Sequence, residues 1–290
     1  MPAAAATADI FNRRARLRQA RRAAGGGGAA RGGGIAEGDS FFLRDALADG
    51  IADRLTAVRR GFARALDLGG GMGDRLAAPL TVRCALAPAG PLAVAGEEDR
   101  LPFADASFDL VVSAGVLHGV GDLPGALLLA RRVLAPDGLF VASFCAGSTL
   151  TELRADLLAA ESALTGGAAG RVHPMVDPRE GGALLQRAGF ALPVADVDTL
   201  TVRYASLFGL LADLRATGAG NALTARAPLR RAVLADAAAR FAKRAASDGK
   251  VAVTVQVLTL TGWAPAPSQP QPLKPGSATA NLSVALRDRT

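Results

Sequence analysis

The chain reads as an α/β protein: a doubly wound, largely parallel sheet with an antiparallel edge pair and extra helices in its C-terminal half. Three observations carry this. Short apolar strand signals alternate with helical patterns as far as residue 144, the order expected when each parallel strand returns through a crossover. Residues 108–116, FDLVVSAGV, are nearly all apolar, as in a strand covered on both faces. Two further strand-like runs, 191–204 and 251–263, lie late in the chain with helices between them, which suits strands added at one edge.

In chain order, residues 1–24 contain a basic helix over 10–23, with six arginines in RRARLRQARR at 13–22. Its surface should be solvated, and the scarcity of aromatic residues (one Trp, one Tyr) argues against nucleic-acid stacking. Residues 1–31 carry one acid, Asp9, which also fits a transit peptide, but they lack serine. Residues 25–37 form a glycine-rich linker, since glycine loses most backbone entropy on ordering. The main domain spans 38–264 and opens with a helix at 40–58, where Leu43, Leu47, Ile51, Leu55 and Val58 recur at helical spacing and Ser40 is the N-cap. Residues 64–68 form the first strand.

Further along, Asp122 caps a helix running to Leu134, stopped by Ala135–Pro136–Asp137–Gly138, and 138–144 is the next strand. A helix at 148–164 has Thr149 and Glu152 at capping-box spacing. Helices at 178–188, 206–217 and 228–246 complete the domain, and the Pro-rich tail at 265–290 is expected to be irregular. No apolar run is long enough to span a bilayer. Cys84 and Cys145 sit in apolar segments and read as free thiols of a reducing compartment, so the default location is the cytoplasm. With only two histidines, no compact metal site is legible.

The chemistry gathers in two blocks. In LDLGGGMG, Gly69, Gly70, Gly71 and Gly73 would let the backbone turn sharply and approach a ligand, and Asp67 could accept from an ammonium group. A purely structural turn remains an equal alternative for such a motif. In the second block, Glu97, Glu98 and Asp99 precede Leu101–Pro102–Phe103. An acid there can receive an adenine amine; the alternative is a solvated turn. His118 follows the strand that holds Ser113 and could orient a ligand or substrate, or be structural. His173, in RVHPM, is read as structural.

On these motifs the chain resembles class I S-adenosylmethionine-dependent methyltransferases of the type 11 domain group. More narrowly it resembles the family of the mitochondrial complex I assembly factor that hydroxylates an arginine, with its alphaproteobacterial relatives. The shared wording includes DIFNRR (9–14), IADRL (51–55), LDLGGG (66–71), FDLVVS (108–113), DLPGAL (122–127), TLTELR (149–154), LLQRAGFALPVADVD (184–198), GWAP (262–265) and KPGSA (274–278). The resemblance implies a Rossmann-like seven-strand methyltransferase sheet and S-adenosylmethionine as cofactor. It also implies a protein substrate, an iron–sulfur subunit of NADH dehydrogenase, and with it the mitochondrial matrix as an alternative location. Matched to the family, Asp67, Gly69, Gly70, Gly71 and Gly73 face the methionine part, Glu97 with Glu98 the adenine side, and Ser113 lies beneath the ligand. His118, in the family's Leu-His pair, is the catalytic candidate. The functions weighed are methyl transfer to a protein, arginine hydroxylation in complex I assembly, and a non-catalytic assembly role.

One departure stands out. No Asp or Glu lies between Arg75 and Gly96, and the ribose-binding acid expected near Leu86 is missing. Only 23 residues separate Gly73 from Glu97, where helix, strand and second helix need roughly thirty. At least one helix should therefore be reduced to a turn. A lost ribose carboxylate removes charge-assisted hydrogen bonds of about 1.5–3 kcal/mol each, about ten- to hundredfold in affinity.

Overall fold

The computed structural model describes residues 9–26 and 42–269. Strands β1 (Arg64–Leu68), β2 (Leu80–Ala85), β3 (Ala93–Ala95), β4 (Phe108–Ala114), β5 (Leu134–Ala146), β6 (Ala191–Tyr204) and β7 (Val251–Trp263) make one seven-stranded sheet in the order β3-β2-β1-β4-β5-β7-β6. The first five are parallel. β7 runs antiparallel between β5 and β6, so the expected edge pair is present. β1 pairs with β4 through Ala65–Leu110, Leu66–Val111 and Asp67–Val112. That pairing is where strand order reverses, the place where sheets of this kind bind ligands at their carboxyl ends.

Side-chain alternation divides the core between the two faces of the sheet. On one face, α2 (Phe42–Ala57) lays Ala48 and Ile51 against Ala65, Leu110, Val112 and Val141. On the other, α3 (Leu123–Val133) and α5 (Gly181–Arg187) cover Leu66, Val111, Phe140 and Phe144. A third cluster joins α4 (Thr151–Thr165), α6 (Leu207–Ala216) and α7 (Arg231–Ala242) to the start of β7. Burying each such Leu, Ile or Phe contributes about 1.5–3 kcal/mol.

The motif residues explain much of this locally. Asp109, in FDL, accepts from the backbone amides of Ala63 and Arg64 at 2.8 and 2.9 Å, fixing the entry into β1. Asp122 caps α3 by accepting from Gly125 N at 2.8 Å, as expected, and Ser206 caps α6 through Gly209 N. Arg132 on α3 donates to the carbonyls of Leu101 and Phe103, and Phe103 meets Phe108 edge-on at 5.1 Å. The L-P-F segment is thus a packing element that places the acids before it. Both cysteines are free and buried.

No helix forms between β1 and β2 or between β2 and β3; both crossovers are turns and irregular chain, in line with the expectation that at least one helix would be reduced to a turn. Other expectations are corrected. β5 begins at Leu134 rather than Gly138, because the breaker residues themselves enter the sheet through a register shift near Phe108–Leu110. The capping box is not made: α4 starts after Leu150 in a left-handed conformation with no side-chain cap. Thr149 instead accepts from Gln256 N at 2.9 Å and directs its hydroxyl toward the carbonyls of Ala146 and Gln256. Glu152 accepts from Thr254 N and Oγ1. Both side chains tie α4 to β7, and the sheet outcompetes the helix end for them.

The N-terminal helix, α1 (Arg13–Gly26), runs two residues into the glycine stretch. It packs on the body, with Phe11 bridged to Leu223 and Phe11, Ala15 and Ala222 forming a small buried cluster. The remainder of the linker and Ser40, the proposed cap, lie outside the described residues, as do residues 270–290 of the tail.

Replacing Thr149 with the near-isosteric Val should leave the Gln256 amide buried without its acceptor. A loss of about 1–3 kcal/mol is expected, read as a lower denaturant midpoint at unchanged m-value.

Candidate functional site

The sequence-predicted site residues converge at the carboxyl ends of β1, β3 and β4. The glycine turn follows β1 directly, with Gly69 at φ +95° and Gly70 at φ +71°, conformations that favour glycine. Gly71 is needed for another reason: a Cβ there would stand 2.8 Å from Ala114 Cβ at the end of β4. The turn is thereby packed down on β4, as the structural reading of the motif requires.

Asp67 is fully buried on the α2 face of β1. Its Oδ2 accepts from Met72 N at 3.2 Å, and its Oδ1 has no hydrogen-bond partner among the described residues. Burial pushes this carboxyl up to about 6, against the Met72 amide, the Arg83 and Arg44 guanidinium groups and the Gly71 amide, which pull it down. Arg83, on β2, is paired in register with Asp67. Its Nε lies 4.0 Å from Asp67 Oδ2, and its Nη2 donates to Gly73 O at 2.9 Å and Asp74 Oδ1 at 3.1 Å. Arg44 on α2 reaches Gly70 O. At the end of β2, where a ribose carboxylate was expected, stand Ala85 and Leu86, as the sequence indicated.

Ser113, also fully buried, points to the opposite face from Asp67, and its Oγ likewise has no partner among the described residues. Glu97 and Glu98 follow β3 in a turn closed by Arg100 N donating to Glu97 O. They are only 7% and 3% exposed, so the solvated-turn alternative is excluded. Two arginines of α1 reach them: Arg13 Nε pairs with Glu97 Oε1, and Arg16 Nη2 donates to Glu98 Oε2 at 2.8 Å. The Arg16 side chain is 12% exposed. The helix expected to be wholly solvated thus turns one arginine inward, while Arg14, Arg18, Arg21 and Arg22 remain exposed.

His118 sits in a single 3-10 turn, Leu117–Gly119, just after β4. It is partly buried, and its Nδ1 has no partner among the described residues. Burial, then His173 and Arg16, lower its pKa to about 4, so the ring is neutral at pH 7. His173 is also lowered to about 4, by burial and Arg16. Its Nε2 accepts from Ala222 N at 2.9 Å, and its ring meets Phe11 edge-on at 4.7 Å, the structural role expected of it.

Four unpartnered buried atoms, on Asp67, Ser113, His118 and the nearby Asp99, belong to the segments that carry the site. Such groups ordinarily find a partner, and here they are available to a polar ligand. The arginines Arg13, Arg16, Arg44 and Arg83 were not identified from sequence. Arg13 and Arg16 had a signal in their i, i+3 spacing, which places them on one face of α1; Arg83 is the lone charge in β2.

A family profile described as a methyltransferase domain matches residues 74–142. The chain is 35% identical over 262 residues to the Danio rerio protein named arginine-hydroxylase NDUFAF5, mitochondrial, covering 84% of this chain and 81% of that protein. With its Homo sapiens counterpart the identity is 34% over 259 residues, covering 83% and 75%. A malonyl-[acyl-carrier protein] O-methyltransferase from Halorhodospira halophila is 33% identical over 246 residues, covering 76% and 81%. Among solved structures, the YcgJ protein of Bacillus subtilis superposes with a TM-score of 0.51 at 14% identity, over 77% of this chain and 99% of that one; it matches in fold.

The three titrating groups predict how stability follows pH. Each histidine is held near 4 in the folded chain, against about 6.5 when unfolded. Their contribution is complete above pH 6.5 and is lost toward pH 4. Asp67, raised to about 6, opposes this, because the folded state takes up its proton first as the pH falls below 6. Two losses against one gain give a net decline of at most about 1.4 kcal/mol per unit between pH 6 and 4. Thermal melts from pH 7 to 4.5 should show it, H118N should flatten the trend and D67N should steepen it. An identical pH profile in all three proteins would refute the assignment.

Proposed function

The chain belongs to the family of arginine-hydroxylase NDUFAF5, and from that premise we propose that it binds an S-adenosylmethionine-type ligand and modifies an arginine of a protein substrate. The observation carrying this is the set of buried polar atoms left over at the switch point, together with the glycine turn beside them. Asp67 Oδ1 suits the ligand's ammonium, Glu97 its adenine amine, and Ser113 Oγ the underside of the ligand. The residues fit that ligand at its methionine and adenine ends. At the ribose the end of β2 offers no carboxylate, so binding is expected to be weaker than in a site that has one.

When bound, such a ligand supplies an electrophilic methyl group or serves as a fixed adenosyl scaffold. The protein's part is to hold and orient it, exclude water with the packed turn, and present the substrate side chain near His118. A neutral imidazole there accepts a hydrogen bond from a guanidinium. The names of the vertebrate relatives favour hydroxylation of arginine and a mitochondrial location over the cytoplasmic default. On the sequence resemblance, we take the substrate to be an iron–sulfur subunit of respiratory NADH dehydrogenase, and the compartment to be the mitochondrial matrix. Methyl transfer is the second reading, supported by the methyltransferase-domain match and the malonyl-carrier-protein relative. Among the described residues no helix is long and apolar enough to cross a membrane.

Hydroxylation is a two-electron oxidation, so dioxygen and a two-electron reductant must come from outside the chain, one oxygen atom entering the arginine and the other leaving as water. Purified protein incubated with S-adenosylmethionine, dioxygen, a reductant and the candidate subunit separates the readings by intact mass of the subunit. An added oxygen supports hydroxylation and an added methyl group the second reading. Subunit binding with no ligand binding and no mass change leaves a non-catalytic assembly role.

Two binding results should follow, both read by calorimetry with S-adenosylhomocysteine. Asp67→Asn removes a charged acceptor worth about 1.5–3 kcal/mol, so affinity should fall about ten- to hundredfold. In the wild type, affinity should hold above pH 6 and drop by up to about tenfold per unit below it, as Asp67 is protonated. Arg13 is exposed and must leave Glu97 when an adenine amine arrives, and an ion pair of that kind contributes about 0–1 kcal/mol. Arg13→Ala should therefore tighten binding by up to about fivefold. Weaker binding in R13A would assign Arg13 to the ligand instead.

A further inference from the structure

Arg83 stands where three segments meet. Its Nη2 donates to Gly73 O and Asp74 Oδ1 at the far end of the glycine turn. Its Nε faces the buried Asp67 carboxylate at 4.0 Å. On its third side lies the β2–β3 connection: Arg83 N donates to Leu92 O at 3.0 Å, and a Cβ at Gly90 (φ +91°) would stand 3.1 Å from Nη1. The turn after β1 and the connection after β2 both lack a helix. A helix there would ordinarily hold the glycine turn through its first-turn amides and its packing on the sheet. Among the described residues, the contacts from the β2 side that hold this turn are Arg83 and the bond from Gly69 N to Cys84 O.

We propose that Arg83 is a positioning residue that takes the place of the two missing crossover helices, bracing the glycine turn and holding Asp67 as the charged acceptor for the ligand. The second half rests on the reading of Asp67 given under Proposed function. Arg83 does not itself touch the ligand; it acts through Asp67 and the Gly73 carbonyl. The groups facing Asp67 are Arg83 from β2, Arg44 from α2, and the amides of Met72 and Gly71 from the turn. From β4 the neighbour in register is Val112, which carries no charge. Removing Arg83 therefore leaves Arg44 as the remaining nearby cation. The turn contacts and the charge come from one guanidinium, which a lysine reproduces only in charge.

The test titrates the Asp67 carboxyl by carbon NMR in the ligand-free full chain, in wild type, Arg83→Met and Arg83→Lys. The wild-type midpoint is expected at about 6. In R83M it should rise by about one unit, as for a carboxylate losing an arginine neighbour; in R83K it should stay near the wild-type value. The turn loosens in R83M under either reading. If Arg83 only braced it, no charge contact with Asp67 would be lost and the midpoint would stay or fall as water enters, whereas loss of the guanidinium charge raises it. A midpoint unmoved or lowered in R83M overturns the proposal. Amide exchange over residues 69–75 and 86–92 should quicken in both variants, and unchanged exchange in R83M overturns the bracing role. Arg83→Gln carries the same two measurements if R83M does not fold. Calorimetry with S-adenosylhomocysteine at pH 6 should show binding about fivefold weaker in R83M, since the ionised fraction of Asp67 falls from about a half to about a tenth. If wild type itself does not bind while the R83M midpoint rises, the ligand reading falls and the brace stands.

Discussion

The close approach of the glycine turn to the end of β4 is the contact on which the rest of the site depends. Gly71 packs against Ala114 so tightly that a single added methyl would have to displace the strand. A Cβ at Gly69 would likewise stand 2.5 Å from Val116. Because β1 and β4 are adjacent and parallel, this contact fixes the turn, the Asp67 carboxylate below it and the 3-10 turn bearing His118 relative to one another. Strand pairing sets the distance, and the glycines permit it. Interiors this dense do not deform gradually, so the positions of the polar groups follow from the packing of apolar ones.

That geometry leaves carboxylates in places where burial works against their charge. Asp67 is raised toward 6 even with two arginines and two amides favouring ionisation. A buried carboxylate without a full set of hydrogen bonds is costly, and the structure keeps several unsatisfied polar atoms toward the carboxyl ends of its strands. Groups of this kind cluster at functional sites because a ligand can satisfy them. The arginines around the edge moderate the cost without filling every position. Glu97 and Glu98 are neutralised from outside by α1, and Asp67 from beneath by β2 and α2.

Much of the fold was legible because strand alternation and cap residues act locally. The FDLVVS strand, the Asp122 cap and the two late strands all lie as the pattern indicated. The glycine turn and the acids before L-P-F were legible as well, since short motifs impose their own backbone geometry. Thr149 and Glu152 show where local reasoning fails: their spacing fits a helix cap, yet both bond to β7, a strand about a hundred residues later. No local pattern carries that partner. Arg83 and Arg16 were missed for the same reason, because what each does depends on a segment brought close only by the fold. The missing acid after β2 drew notice in the sequence; the arginine standing near that position did not.

The short interval between Gly73 and Glu97 connects these points. Deleting two crossover helices removes the element that usually stiffens a nucleotide-binding turn, and it also removes the cover they would give to β2 and β3. β2 is accordingly only partly buried, with Cys84 its one fully buried residue. On such a strand a long side chain can lie along the surface with its charged end still wet, which lets Arg83 span two loops at once. α1 separately brings Arg13 and Arg16 to the glutamates after β3. The same economy of chain accounts for a ribose subsite without its acid and a turn held by a side chain. A sheet trimmed this way leaves the glycine turn and its buried carboxylate dependent on a few arginines rather than on helix packing, and so makes their arrangement sensitive to salt.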